Sequence, residues 1–207
     1  MHPTQVLKAW RTGLNRRQIA WGAAAALLGA STLGMAQGAA AETLRIVPST
    51  TITVLDPIWT TAYVTRNFGY MVFDTLFGTD AQGKIQPQMV GKWTTSADNK
   101  TWTFTLRDGL AFSDGAAVTS EDVIASLKRW SSRDTLGGLM AQSLDRYEAV
   151  DAKTFQIVLK QPFGLMLEAL GKPSSNVPFI MPRRIAETPG DTQIKDCLLY
   201  TSDAADE

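Results

Sequence analysis

The sequence predicts a mixed α/β protein built from short helices and local antiparallel strand pairs, and three observations carry that reading. Residues 101–106 alternate strictly, with Trp102, Phe104 and Leu106 on one side and three threonines on the other, the period of a half-buried strand. Apolar residues recur at three and four positions over 64–77 and again over 123–130, the period of an amphipathic helix. Between these segments stand turns rich in Gly, Asp and Asn, which join neighbouring strands as hairpins.

In chain order, Thr43-Leu44-Arg45-Ile46-Val47-Pro48 alternates and stops at a proline, so an opening strand is expected there. Leu55-Asp56-Pro57 follows as a turn. Val64, Phe68, Met71, Val72, Phe73 and Leu76 then line one face of a helix predicted over 64–77, with Gly78 as its stop. Ala81-Gln82-Gly83 turns the chain into a strand at Lys84-Ile85-Gln86, and the polar residues 96–100 turn it into the strand 101–106. Arg107-Asp108-Gly109 and Ser113-Asp114-Gly115 are two more turns, each with a glycine where positive φ is tolerated.

Thr119 is the expected N-cap of the next helix. Asp122 stands three residues on, as a capping box requires, and Val118 and Val123 bracket the first turn as a hydrophobic staple. Glu121 and Asp122 suit the positive end of the helix dipole, and Lys128 and Arg129 the negative end. Val123, Ile124, Leu127 and Trp130 form its buried face. A second hairpin joins 147–150 to 154–159 through Asp151-Ala152-Lys153. A short apolar helix over 163–170 and a strand over 179–181 complete the series.

Composition narrows the chemistry. The chain of 207 residues carries 20 basic and 20 acidic groups. Four of the basic ones, Lys8, Arg11, Arg16 and Arg17, lie in an N-terminal segment with no acid, so the rest has 16 basic and 20 acidic residues, a net of −4. A mildly acidic body offers no footprint for nucleic acid or anionic lipid. The only histidine is His2 and the only cysteine is Cys197. Zinc sites and Ser-His or Cys-His relays are therefore not expected in the body, and neither a metal nor a cofactor is implied. Only Ser-Lys or dicarboxylate catalysis, with Asp108 and Asp114 as the obvious acids, stays open.

Both ends depart from this pattern. Residues 1–41 run from a basic region ending in Arg16-Arg17, through an uncharged stretch rich in Ala, Gly and Leu, to Ala39-Ala40-Ala41. That is the order of a signal peptide cleaved near Ala41, with Glu42 as the first mature residue. The arginine pair resembles a twin-arginine signal, although Asn15 replaces the usual Ser or Thr, so the Sec and Tat routes both stay open. The competing reading, a membrane anchor, is disfavoured by the many small residues at 20–26. At the other end, 197–207 carries the lone cysteine and breaks the preceding pattern, which reads as a non-native tail, with a natural frayed terminus as the alternative.

Several elements in fixed order resemble one family. Trp102-Thr103-Phe104-Thr105-Leu106-Arg107-Asp108-Gly109-Leu110-Ala111-Phe112-Ser113-Asp114-Gly115, then Val118-Thr119-Ser120-Glu121-Asp122-Val123 with Leu127-Lys128-Arg129, are similar to the extracytoplasmic solute-binding proteins of ABC importers, family 5, the dipeptide, oligopeptide and nickel group. Leu55-Asp56-Pro57, Phe73-Asp74-Thr75-Leu76 and 178–183 match flanking pieces. The resemblance implies the class II two-lobe fold of periplasmic binding proteins, of which only the first part would be present. Residues 42–78 would begin lobe I, 79–177 would form most of a small β-rich accessory domain, and 178–196 would return into lobe I.

The matched motif itself is architectural, since its aspartates sit in turns and its aromatics on a core face. The resemblance instead implies that the loop after Leu-Asp-Pro approaches the solute, which points to Thr61, Ala62 and Tyr63, whose backbone would pair with an extended ligand. Trp59 and Tyr63 are candidates for its walls. Ser174, Ser175 and Asn176, in a polar loop, are the remaining substrate-binding candidates. The implied function is capture of a peptide or other small solute in the periplasm by a monomeric receptor. Delivery would be to an ABC permease of the inner membrane, with no enzymatic activity. A secreted hydrolase and a sensory or chaperone-like binding protein are the alternatives. A chain lacking the opposing lobe is expected not to close on a solute.

Overall fold

The computed structural model describes Arg45 and residues 47–195. The export signal expected over 1–41, most of the strand expected over 43–48 and the tail at 197–207 lie outside the described residues. The elements are α1 (Tyr63–Val72), β1 (Phe77–Thr79), β2 (Ile85–Pro87), β3 (Val90–Thr95), β4 (Thr101–Leu106), α2 (Ser120–Ser131), α3 (Thr135–Ser143), β5 (Leu144–Ala149), β6 (Thr154–Leu159), α4 (Met166–Leu170) and α5 (Arg183–Ala186).

β1 and β2 make a small antiparallel pair, and the other four strands form one antiparallel sheet in the order β3-β4-β6-β5. The alternation of 101–106 places β4 centrally: Trp102 pairs with Ile157 and Phe104 with Phe155 on β6. Phe104 and Phe155 stack at 5.2 Å between centroids, and Phe77 meets Phe104 edge-on at 6.0 Å. The threonine side is only half-covered. Val123, Leu127 and Trp130 of α2 are fully buried, as the helical period requires. Each such side chain contributes about 1.5–3 kcal/mol on burial.

The capping box at α2 forms as expected. Thr119 N–H donates to Asp122 Oδ2 at 2.8 Å, and Asp122 N–H to Thr119 Oγ1 at 3.4 Å. Asp122 also accepts from the Arg183 amide at 2.7 Å, which ties α5 to the start of α2. The two turn glycines take positive φ, 75° at Gly109 and 80° at Gly115.

Four expectations are corrected. The helix predicted over 64–77 stops at Val72, because Phe73 is extended and Thr75 bridges to Phe179, so Leu76 is buried in a bend and Phe77 at the start of β1. Gly78 is accordingly a strand residue opposite Gln86, not a helix stop. The helix over 163–170 begins only at Met166. The segment 179–181 makes a single bridge and lies as an extended strip on α2, where Ser126 Oγ accepts from the Met181 amide at 2.9 Å.

Two elements carry no clear signal in the sequence. β3 is a largely exposed edge with a bulge between Val90 and Lys92. α3 contains Gly137 and Gly138, yet it is capped by Asp134, which accepts from the Gly137 amide at 2.8 Å. A Cβ at Gly137 would lie 2.9 Å from the Ser131 Cα and 3.1 Å from the Trp130 ring, so the glycine allows α3 to close onto α2.

Candidate functional site

The candidate segment starts from a buried charge. Asp56 is 0% exposed, and its Oδ1 accepts from the amides of Ile58 and Trp59 at 3.1 and 3.2 Å, an Asx turn that folds the chain back at Pro57. The same carboxylate takes a two-pronged pair from Arg129, at 3.1 Å to Oδ1 and 2.7 Å to Oδ2, and the Ile194 amide at 2.9 Å. Two further Arg129 donors, at Nε and Nη2, reach the carbonyls of Thr188 and Thr192, both at 3.1 Å. A buried ion pair is tolerated when its donors and acceptors are satisfied in this way. One pair thus locks the Leu-Asp-Pro turn, α2 and the 188–194 segment together.

Beyond Pro57 the backbone is held carbonyl by carbonyl. Asn176 Nδ2 faces the carbonyls of Pro57, Ile58 and Thr60 at 3.5, 2.9 and 3.2 Å. The Trp59 carbonyl accepts from Arg133 Nη2 at 3.1 Å, and the Arg133 guanidinium lies 4.8 Å from the centre of the Trp59 ring. Asn176 is itself buried, and its own carbonyl accepts the Trp130 indole N–H at 2.8 Å. Lys172 pairs with the buried Asp134 across the same corner.

The structure therefore brings Trp59 and Asn176 together, while Thr61, Ala62 and Tyr63 project from the end of the held segment. All three are exposed, Tyr63 at 73%. Ala62 already uses both backbone groups: its N–H donates to Thr60 Oγ1 at 3.2 Å and its carbonyl accepts from the Arg66 amide at 3.0 Å as α1 begins. The Arg66 guanidinium covers the Tyr63 ring at 4.7 Å. Farther along α1, burial raises the Tyr70 pKa, and the Arg66 charge opposes the shift. Ser174 and Ser175 are exposed, and Ser175 has a φ of 61°. They stand apart in role from Asn176, whose amide faces inward.

Sequence reasoning missed Arg133 and Arg129 here. The Arg129 signal was hidden because a basic residue near a helix end already has a reason to be there.

A hollow of about 300 Å³ lies elsewhere, walled by Phe73, Met89, Leu110, Phe112 and Ile180 among others. A second, of about 530 Å³, lies between α2 and the 183–190 segment. Neither is lined by a predicted solute-contact residue, and Asp114 lines the first. Leu110 and Phe112 belong to the turn motif, whose Asp108 and Asp114 pair with Lys153 and Arg184 at the surface. Among the described residues there is no group of three His, Cys, Asp or Glu side chains suited to a metal, and no helix long and apolar enough to cross a membrane.

The sequence profile of the bacterial extracellular solute-binding proteins, family 5 Middle, matches residues 84–196, more than half of the chain. This chain belongs to the family 5 bacterial extracellular solute-binding proteins. Over 174 residues it is 38% identical to a probable peptide ABC transporter periplasmic-binding protein, y4tO, of Sinorhizobium fredii (strain NBRC 101917 / NGR234), covering 83% of this chain and 32% of that one. Over 153 residues it is 31% identical to the glutathione-binding protein GsiB of Salmonella typhi, covering 73% of this chain and 30% of that one. Among solved structures it is similar to the binding protein AgaA of A. tumefaciens R10 in complex with agropinic acid, at 30% identity and a TM-score of 0.55, over 66% of this chain and 28% of that one.

The chain spans about a third of the length of these curated relatives. The mixed α/β architecture expected from sequence is that of part of a family 5 binding protein. The relatives named here are solute-binding proteins, and the first is named as periplasmic.

Proposed function

We propose that this chain is part of the substrate-binding component of an ABC-type importer, a monomeric periplasmic receptor that captures a peptide-like or other small solute and delivers it to a membrane permease. The observation that carries the reading is the exposed Thr61–Tyr63 stretch on a backbone immobilised from Asp56 to Thr60, in a chain of this family. A rigid scaffold presenting a short exposed segment suits recognition, because little order is lost on binding. With Ala62 already bonded, an added ligand strand would pair with Thr61 and the Tyr63 amide, and Trp59 and Tyr63 would supply aromatic walls. Names of relatives favour solutes that carry a carboxylate: a peptide, glutathione and agropinic acid. On this reading 1–41 is an export signal cleaved near Ala41, 42–78 and 178–196 belong to lobe I, and 79–177 to the accessory domain.

The test is native mass spectrometry of the full-length receptor with an equimolar set of di- and tripeptides, glutathione and agropinic acid, followed by calorimetry with whatever is retained. At least one member is expected to bind, and Tyr63→Ala or Trp59→Ala is expected to weaken it about tenfold, the loss of ~1.4 kcal/mol. Retention of none of them would overturn the reading.

A further inference from the structure

We propose that Asn176 and Arg133 are positioning residues of the solute site, which set the backbone of Pro57 to Thr60 and so aim Trp59 and Thr61–Tyr63 without touching the solute. The inference rests on the reading of Trp59, Thr61, Ala62 and Tyr63 as contact residues. It changes the role of Asn176, which its polar loop marked as a contact.

The geometry points this way. Four consecutive carbonyls, Pro57 to Thr60, face one amide and one guanidinium. Consecutive carbonyls in an irregular loop usually turn to water, and collecting them on two side chains fixes every peptide plane in the stretch. Asn176 is 5% exposed, and an amide nitrogen has only two hydrogens, so at three carbonyls it has no donor left for a solute. If the loop shifted, a buried amide would lose its partners, which makes the observed arrangement strongly preferred.

Both residues are anchored by their backbones to Trp130 of α2. The Trp130 indole holds the Asn176 carbonyl, and the Arg133 amide bonds back to the Trp130 carbonyl at 3.0 Å. The Arg133 guanidinium also sits over the Trp59 ring, a cation–π contact that holds the indole as well as the backbone. The site thus inherits its shape from α2, beyond the loop that carries it.

The test uses the full-length receptor labelled with 5-fluorotryptophan, the Trp59 fluorine line being identified by its loss in Trp59→Phe. Asn176→Leu keeps the volume and removes the donors. Arg133→Met keeps the stem at an exposed position and guards against a folding failure of the first variant. Ser126→Ala, which loosens the 179–181 strip on α2 away from the loop, is the comparator. The expected result is a broadened or doubled Trp59 line in the first two variants. Affinity for the tightest-binding peptide of the set above should fall about tenfold or more in both, with neither change in Ser126→Ala. Unchanged affinity in Asn176→Leu and Arg133→Met, while Tyr63→Ala weakens binding, would overturn the positioning role and leave the contact reading standing. An equal loss in Ser126→Ala would also overturn it, as general loosening. Unchanged affinity in both Tyr63→Ala and Trp59→Ala would remove the contact reading, and the inference with it.

Discussion

Asp56 shows how much one residue of a short motif can carry. In the sequence it is the middle of Leu-Asp-Pro, an unremarkable turn; in the structure its carboxylate is an Asx acceptor, one half of a buried ion pair and the anchor for Ile194. Removing either partner leaves the other buried and uncompensated. Asp56→Ala and Arg129→Ala should each destabilise the protein by about 3–5 kcal/mol, read by denaturant unfolding, whereas breaking the exposed Arg146–Glu148 pair should cost less than about 1 kcal/mol. A loss under about 1 kcal/mol in Asp56→Ala would show that the buried pair does not hold this region together. The turn was legible at this scale because Asp-Pro is a local signal. Its partner 73 positions away was not, since no local pattern reports which arginine a buried acid will meet.

At the scale of elements, α2 was legible almost in full. Its cap, dipole charges and apolar face all agree, and both ends of the capping box are made. β4 was legible for a similar reason, because a strict two-residue period has one interpretation on a half-buried sheet. The end of α1 was misread because Phe73, Leu76 and Phe77 satisfy a helical period while their burial is supplied by Phe179 and the β1–β2 pair. α3 was missed because two glycines argue against a helix, and only the closeness of Trp130 and Ser131 explains Gly137. Gly137→Ala should accordingly destabilise by about 1–3 kcal/mol despite the better helix propensity of alanine, measured by thermal melting. A stabilising effect would show that α3 can move away from α2.

The turns give a pH signature at the same scale. Amide hydrogen bonds from Lys153 and Thr154 lower the Asp151 pKa, and the Gln86 side chain with the Lys84 amide lowers that of Asp80. A folded pKa below the unfolded value, near 3.9, contributes stability that is present above about pH 4 and lost as pH falls through the folded value. Melting temperatures measured from pH 7 down to pH 2 should therefore drop less steeply below about pH 4 in a doubly substituted Asp80→Asn, Asp151→Asn variant than in wild type. Equal slopes would contradict the assigned turns.

For the whole molecule, the family was legible because its signature is a run of turns and a capped helix whose spacing is set by the fold. The candidate site was legible only in outline: the resemblance pointed to the segment that carries Thr61 and Tyr63, while the bonds that Arg133 and Asn176 make to its backbone depend on a corner formed by three distant segments. The most direct measurement is a crystal structure of the full-length receptor with a solute bound. The account predicts the solute within hydrogen-bond distance of Thr61 or Tyr63 and packed on Trp59, with the Asn176 amide still on the carbonyls of Ile58 and Thr60. A solute that touches none of Trp59, Thr61, Ala62 and Tyr63 would contradict it.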